Sequence, residues 1–224
     1  MKKIIAVFSM TLLLASCASV RATKPFTVDL NSPRYIAGSA VIQLDKVLGG
    51  IKKQDIDVYY YPDADAICLV YISEFLTFYQ FWSRDGREAF ITALEHYKED
   101  YEQRNLRAKK SKTKRAYGKA QGYIAWSTLR ILSEQARGIA TIEFGYTFKD
   151  KMPFFSLMQR SAEYKDAESR KTESPNTMLY FTRAQAEDLA MLFDQEYLDK
   201  LEMSGGGTGK EGIRDILRNI LNVR

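Results

Sequence analysis

One long apolar and aromatic run does most to limit what this chain can fold into. Residues 66–82, AICLVYISEFLTFYQFW, contain a single charged side chain, Glu74, and their β-branched and aromatic content predicts one long buried strand. In residues 83–106 the apolar side chains recur three and four positions apart, which predicts an amphipathic helix that begins after Ser83. The strand and the helix form a unit in which two apolar surfaces cover each other.

A fainter copy of this unit occurs 99 residues later. Residues 179–181 lead through Thr182 into a second amphipathic segment, and Gln185 stands where a capping box places its glutamine. The aligned pairs are Trp82 with Phe181, Ser83 with Thr182, Arg84 with Arg183, Glu88 with Glu187, Phe90 with Leu189 and Leu94 with Phe193. The apolar stripes are Phe90, Leu94, Tyr97 and Tyr101 in the first helix and Leu189, Phe193, Tyr197 and Leu201 in the second. The copy predicts a weak internal repeat with two principal helices.

Shorter apolar runs around these units predict further strands. They lie near residues 39–46, 56–61, 117–132, 138–148, 154–164 and 175–181. For residues 36–48 a helix also remains open, because Ser32-Pro33 and Gly49-Gly50 resemble helix punctuation, but a strand is preferred. Short turns between the runs favour antiparallel pairing. The predicted fold class is α+β, with a mainly antiparallel sheet of about six or seven strands and the two principal helices on one face.

The first seventeen residues have the order of a bacterial secretory signal. Lys2 and Lys3 precede an apolar stretch over residues 4–14, and Leu14-Ala15-Ser16-Cys17 resembles the lipobox of bacterial lipoproteins. The resemblance implies cleavage before Cys17, diacylation of its sulfur and acylation of the new amine, and several acyl chains make such an anchor effectively permanent. Ala18 follows where an Asp retains many such proteins at the inner membrane, which implies the outer membrane. We therefore expect a lipid-anchored envelope protein with its body in the periplasm or at the cell surface.

Composition divides the rest of the chain. The predicted parts are a signal peptide over residues 1–16, a polar tether over 17–33, a single α+β domain over 34–202, a glycine-rich linker over 203–211 and a C-terminal amphipathic helix over 212–224. One side of this last helix is apolar, with Ile213, Ile216, Leu217, Ile220 and Leu221. So short a helix is marginal alone in water, and we expect it to dock on its own domain, on a partner or on a membrane surface.

A basic stretch follows the first long helix. It contains no acidic residue, and its cationic residues are Arg104, Arg107, Lys109, Lys110, Lys112, Lys114 and Arg115. Such a loop suits contact with anionic lipid headgroups or another acidic envelope polymer, or it simply keeps the protein soluble. The net charge of +5 over 224 residues is too small to indicate nucleic-acid binding.

No sequence motif indicates catalysis or metal binding. His96 is the only histidine, and Cys68 has no partner once Cys17 is lipidated. Residues 204–210, SGGGTGK, lack the first glycine of a phosphate-binding loop, and Glu211 replaces its final Ser or Thr. Glu74 is the best single candidate for a buried functional carboxylate. The preferred interpretation is that it marks a bend or a solvent-exposed point in the strand. We expect no cofactor, no metal and no enzymatic activity.

Three short motifs in the body, YYYP, QFWSR and YFTRAQA, resemble uncharacterised lipoproteins of spirochaetes. That resemblance assigns no functional residue. The expected function is therefore non-enzymatic, either binding or structural, in a protein held to the membrane by Cys17, with an envelope protein or an anionic lipid as partner. The alternative is a periplasmic carrier of a lipid or other apolar ligand, because aromatic strands are able to line a cavity.

Overall fold

The computed structural model describes residues 28–29, 32, 34–45, 50–108, 116–128, 136–165 and 171–204. The predicted leader, nearly all of the tether, the linker beyond residue 204 and the C-terminal helix lie outside the described residues, as does most of the basic stretch. The predicted site residues that lie outside are Cys17, Lys109, Lys110, Lys112, Lys114, Arg115, Ile213, Ile216, Leu217, Ile220 and Leu221.

Eight antiparallel strands close into a barrel. In their order around the barrel they are β1 (Tyr35–Asp45), β10 (Thr177–Phe181), β7 (Met152–Gln159), β6 (Ala136–Lys149), β5 (Gly118–Thr128), β4 (Leu76–Trp82), β3 (Ala66–Ser73) and β2 (Ile51–Tyr61). A separate two-stranded sheet consists of β8 (Glu163–Lys165) and β9 (Lys171–Glu173). The helices of the described part are α1 (Arg84–Glu102), α2 (Arg183–Phe193) and α3 (Gln195–Met203), with a 3-10 turn at Pro62–Ala64.

The predicted α+β fold, a sheet of six or seven strands with two principal helices on one face, is wrong. The sheet closes because β1 pairs with β10, with Gln43 opposite Tyr180 and Leu44 opposite Leu179. This pairing joins strands that are far apart in the sequence. The alternation of buried and exposed side chains is also the same in a barrel as in a sheet with one covered face. The local pattern therefore predicts the strands but not whether the sheet closes into a barrel.

The apolar run over residues 66–82 forms two strands and not the single predicted one. β3 ends at Ser73, β4 begins at Leu76, and Glu74 stands in the turn between them with a φ of 55°. Glu74 therefore marks a turn and is not a buried carboxylate. Both strands bury side chains on both faces, so the apolar pattern continues up to the turn and conceals it.

The second predicted helix is also divided. α2 ends at Phe193, and Asp194 takes an extended conformation with a ψ of 129°. The Asp194 carboxylate accepts a hydrogen bond from the Tyr197 N–H at 3.0 Å and so caps the start of α3. The ambiguous residues 36–48 belong to β1 as far as Asp45, which agrees with the preferred prediction of a strand.

The two strand-to-helix units occupy opposite sides of the barrel. β4 and β10 lie four places apart in the ring of eight strands and therefore run in the same direction. Each leads into a capped helix: Ser83 Oγ accepts from the Gly86 N–H at 3.4 Å, and Thr182 and Gln185 form the predicted capping box. α1 and α2 therefore leave the barrel at the same end, called the helical end below, and pack against each other there.

Side chains from the strands and the helices form one core inside the barrel. The ring centroids of Phe90 and Phe193 are 5.0 Å apart, and Trp82 lies 5.4 Å from Phe193. Phe155 extends this cluster at 5.6 Å from Phe90. Burial of each Phe side chain contributes about 1.5–3 kcal/mol. The helices are thus part of the core that stabilises the barrel.

A chain of buried polar side chains crosses the barrel interior. The Trp82 indole N–H donates to Gln80 Oε1 at 3.2 Å, and Gln80 Nε2 donates to Gln159 Oε1 at 2.7 Å. The Tyr71 hydroxyl donates to the same Gln159 oxygen at 3.2 Å and lies 3.0 Å from Thr177 Oγ1. An indole N–H only donates, so the Gln80 side chain must turn its oxygen to Trp82 and its nitrogen to Gln159, and Gln159 must turn its oxygen to Gln80. Gln159 Nε2 is then left without a hydrogen-bond partner among the described residues.

The buried side chain of Arg87 links the start of α1 to two other elements. Its Nη1 donates to the Asp65 carbonyl and its Nη2 to the Asp65 carboxylate, each at 2.7 Å, and Nη2 also donates to Gln195 at the start of α3. Arg84 forms a second ion pair with Asp65 at 2.7 Å. Burial favours a raised pKa of the Asp65 carboxyl, but the hydrogen bonds and charges of Arg87 and Arg84 together outweigh it and lower that pKa.

Candidate functional site

A cleft of about 490 Å³ opens at the helical end of the barrel, beside the C-terminal end of α1. Its volume is within the range of small-molecule binding sites. The end of α1, the segment after it, the β6–β7 hairpin and the first residue of α2 all contribute to its lining. The lining residues are Tyr101, Glu102, Arg104, Leu106, Arg107, Phe148, Pro153 and Arg183.

A Schellman motif ends α1 and brings the residues after the helix into the cleft. The Arg104 N–H donates to the Tyr101 carbonyl at 3.2 Å, and the Asn105 N–H donates to the Asp100 carbonyl at 2.8 Å. The motif requires a left-handed residue, and Arg104 has a φ of 57°. Glycine is the usual residue here, because a side chain in this conformation costs roughly 1 kcal/mol. Arg104 therefore occupies a position at which the backbone favours glycine.

An apolar floor, formed by Tyr101, Leu106, Phe148 and Pro153, lies between these elements. The Tyr97 hydroxyl donates to the Pro153 carbonyl at 3.3 Å and so ties the β6–β7 hairpin to α1. Tyr101 remains 39% exposed, in contrast to the buried remainder of its helical stripe. The Tyr97 hydrogen bond therefore holds the hairpin side of the apolar floor in place, and Tyr101 keeps part of the floor accessible from the cleft.

Three arginines line the cleft together with the apolar floor. Arg183 lies over the Tyr101 ring, 5.3 Å from its centroid, in cation–π geometry. Its nearest carboxylates, Glu187 at 3.8 Å and Glu102 at 3.9 Å, are beyond hydrogen-bonding distance. Arg104 and Arg107 are exposed, and no carboxylate in the described part of the chain pairs with either of them. Among the described residues, the cleft thus holds three cations with few close hydrogen-bond partners.

This arrangement is suited to binding an anion. Guanidinium groups present forked donors that match phosphate and carboxylate oxygens, and the apolar floor next to them can cover part of a ligand. Among the described residues, Glu102 is the one carboxylate in the lining. Within the described ranges, no group of three or more His, Cys, Asp and Glu side chains is placed to hold a metal ion.

The structure brings together Arg104 and Arg107, two of the seven basic residues that the sequence predicted as an anion contact. Sequence reasoning missed Arg183 and Tyr101 as partners in this site. The internal repeat did carry a signal, because Arg183 aligns with Arg84, whose Nε lies 2.7 Å from Asp65. The carboxylates nearest to Arg183 are 3.8 and 3.9 Å away, so the arginine is held by a short ion pair in the first copy and only by longer ones in the second.

His96 and Cys68, which were weighed as candidate functional residues in the sequence, do not line the cleft. His96 is an exposed residue of α1. Cys68 is a free thiol that is fully buried among apolar side chains, including Val28 and Phe81, and this burial raises the pKa of its thiol. Cys68 therefore serves as a small apolar side chain, as predicted.

Comparison with known proteins identifies a family and no function. No curated protein and no solved structure matches the chain. In the described part of the chain, no helix has both the length and the hydropathy needed to cross a membrane. The matching family comes from a spirochaete genus, which confirms the expected likeness to uncharacterised spirochaete proteins. The chain belongs to the family described as an uncharacterised Treponema protein, which matches residues 19–200.

Proposed function

We propose that this protein is a lipid-anchored envelope protein whose barrel is a non-enzymatic binding domain, with the cleft at the helical end as its binding site. One observation carries the proposal: Arg104, Arg107 and Arg183 line the same cleft as the apolar floor, and few carboxylates of the described residues are placed to neutralise them. A cluster of cations attracts anions to the cleft, and accessible apolar surface beside it gives a ligand or partner area to cover. An anionic envelope component is the ligand that fits these groups.

The anchor rests on the leader and on Cys17. The order of charged region, apolar region and lipobox supports cleavage before Cys17 and its lipidation, and the family match beginning at residue 19 fits a body that follows this cysteine. The outer membrane, with the body in the periplasm or at the cell surface, is the proposed location. Mass spectrometry of the N-terminal peptide from native membranes should show a triacylated Cys17. An unmodified Cys17 still joined to Ser16 would refute the anchor.

A second candidate function is the carriage of a lipid or other apolar ligand. The closed barrel favours it, because eight-stranded barrels are able to hold a single small ligand. The aromatic core and the polar chain from Trp82 to Tyr71 already occupy much of this interior. We therefore rank a carrier below a protein that binds its ligand in the cleft.

Native mass spectrometry of the full-length protein from its own host tests the binding function. We expect an anionic component to co-purify in stoichiometric amount with the wild type. It should be lost from Arg183→Gln and retained by Arg137→Gln, because Arg137 is an exposed residue near the start of β6, away from the cleft lining. A neutral lipid that stays bound to both variants would favour the carrier instead. Absence of any bound component from the wild type at native ionic strength would count against both functions.

A further inference from the structure

We infer that the ligand of the cleft is a phosphorylated amphiphile: a phosphate group held by Arg104, Arg107 and Arg183, joined to an apolar chain or ring that covers the apolar floor. This inference rests on the proposed function, because it assigns a chemical class to the ligand of the same cleft. It goes further by specifying two parts of that ligand and the residues that bind each part.

The charge of the cleft favours phosphate over carboxylate. Of the described residues, three arginines and one glutamate line it, and together they carry a formal charge of +2. A single carboxylate supplies one negative charge and two oxygens. A phosphate monoester supplies a charge of about −1.5 to −2 at pH 7 and three acceptor oxygens, which matches three separate guanidinium groups.

The apolar floor favours a ligand with an apolar part. Tyr101 and Leu106 come from the end of α1 and the segment after it, and Phe148 and Pro153 come from the facing β6–β7 hairpin. Free phosphate leaves this surface in contact with water. A bound chain or ring removes it from water, and each buried methylene contributes about 0.8 kcal/mol.

The backbone at Arg104 gives a third, independent observation. A left-handed residue is required where α1 ends, and glycine fills that position without a steric cost. With Arg104 there, the chain carries a guanidinium group at the point where the helix end meets the cleft. The local cost is consistent with a binding role for that side chain.

Calorimetric titration of the full-length protein in a neutral maltoside detergent tests the inference. The probes are hexyl phosphate, hexyl sulfate and inorganic phosphate, all monomeric in solution and used at pH 8, where the phosphates are dianions. We expect hexyl phosphate to bind at least tenfold more tightly than inorganic phosphate, a ratio equivalent to about 1.4 kcal/mol or burial of about two methylenes. Hexyl sulfate, with one negative charge, should bind at least fivefold more weakly than hexyl phosphate.

Three variants assign the two parts of the ligand. Arg107→Gln should weaken both phosphates at least tenfold, whereas Arg137→Gln, which removes the same charge outside the cleft lining, should leave both unchanged. Leu106→Ala should reduce the advantage of hexyl phosphate over inorganic phosphate without changing the affinity for inorganic phosphate. Thermal unfolding of each variant establishes that it is folded before its titration is interpreted.

The results separate failure of this inference from failure of the proposed function. Equal affinity for hexyl phosphate and inorganic phosphate, both lost in Arg107→Gln, would overturn the amphiphile and leave an anion-binding cleft. Equal affinity for hexyl sulfate and hexyl phosphate would overturn the choice of phosphate. No binding of any anion, or binding that Arg107→Gln does not weaken, would overturn both the inference and the proposed site. Dihexanoyl phosphatidate as a fourth probe identifies the source: tighter binding than hexyl phosphate indicates a membrane lipid headgroup, and weaker binding indicates a free amphiphile.

Discussion

Replacement of Arg104 should change the stability of the protein and its affinity for phosphate in opposite directions. The φ of 57° at Arg104 is costly for any residue with a side chain, and glycine removes that cost. We expect Arg104→Gly to raise the free energy of unfolding by about 0.5–1 kcal/mol while weakening phosphate binding to the cleft. Chemical denaturation and calorimetric titration measure the two effects.

The neighbouring Asn105 provides the control, because its φ is not positive. Asn105→Gly should lower the free energy of unfolding, since it adds backbone freedom to the unfolded chain and removes a side chain that hydrogen-bonds Gln103. An Arg104→Gly variant that is less stable than the wild type would contradict the structure assigned to this helix end.

Asp65 gives a pH-dependent contribution to stability. Its folded pKa is lowered, because the two arginines outweigh its burial, so the ion pairs stabilise the fold above about pH 4 and are lost as the pH falls through the folded pKa. Asp65→Asn should reduce the free energy of unfolding by about 1–2 kcal/mol at pH 7, allowing for its partial exposure. Denaturation at pH 7 and at pH 3 should show the difference from wild type shrinking at the lower pH. Asp63→Asn, an exposed acid in the adjacent 3-10 turn, should show neither effect.

At the scale of secondary structure, the polar chain inside the barrel couples β3 and β4 to β7 and β10. Tyr71→Phe removes the hydroxyl that donates to Gln159 and contacts Thr177, and we expect a loss of about 1–2 kcal/mol in the free energy of unfolding. Tyr123→Phe is the matched control, since no hydrogen bond of the Tyr123 hydroxyl exists among the described residues. Equal stabilities of the two variants in urea denaturation would show that the chain does not hold the strands together.

Helix starts were predictable from the sequence because their signals are local. Ser83 and Thr182 accept hydrogen bonds from amides three residues away, so nothing distant decides them. The end of β3 was hidden because Glu74 lies within a hairpin whose strands are buried on both faces. The cleft was predictable only in part. Arg104 and Arg107 stand out in the sequence because they belong to a basic stretch without acidic residues, whereas Arg183 joins them through the packing of α2 beside α1.

For the molecule as a whole, closure was the feature that local pattern could not supply. β1 and β10 meet at Gln43 and Tyr180, and only the twist and number of the intervening strands bring them together.

The two strand-to-helix units share one core, which argues for cooperative unfolding. We expect far-ultraviolet circular dichroism and the fluorescence of Trp82 and Trp126, which are both buried, to report one coincident urea transition. Two separated transitions would indicate independent domains.

Binding of an anion in the cleft at the helical end of the barrel is the function that we propose for this protein. An NMR titration of the full-length protein in neutral detergent with hexyl phosphate tests it directly, because each backbone amide reports its own surroundings. We expect saturable shifts of the amides of Tyr101, Arg104, Leu106, Arg107 and Arg183, and no shift of the amides near Gln159 and Thr177 inside the barrel. Shifts confined to the barrel interior, or no saturable shift at any of the cleft amides, would contradict it.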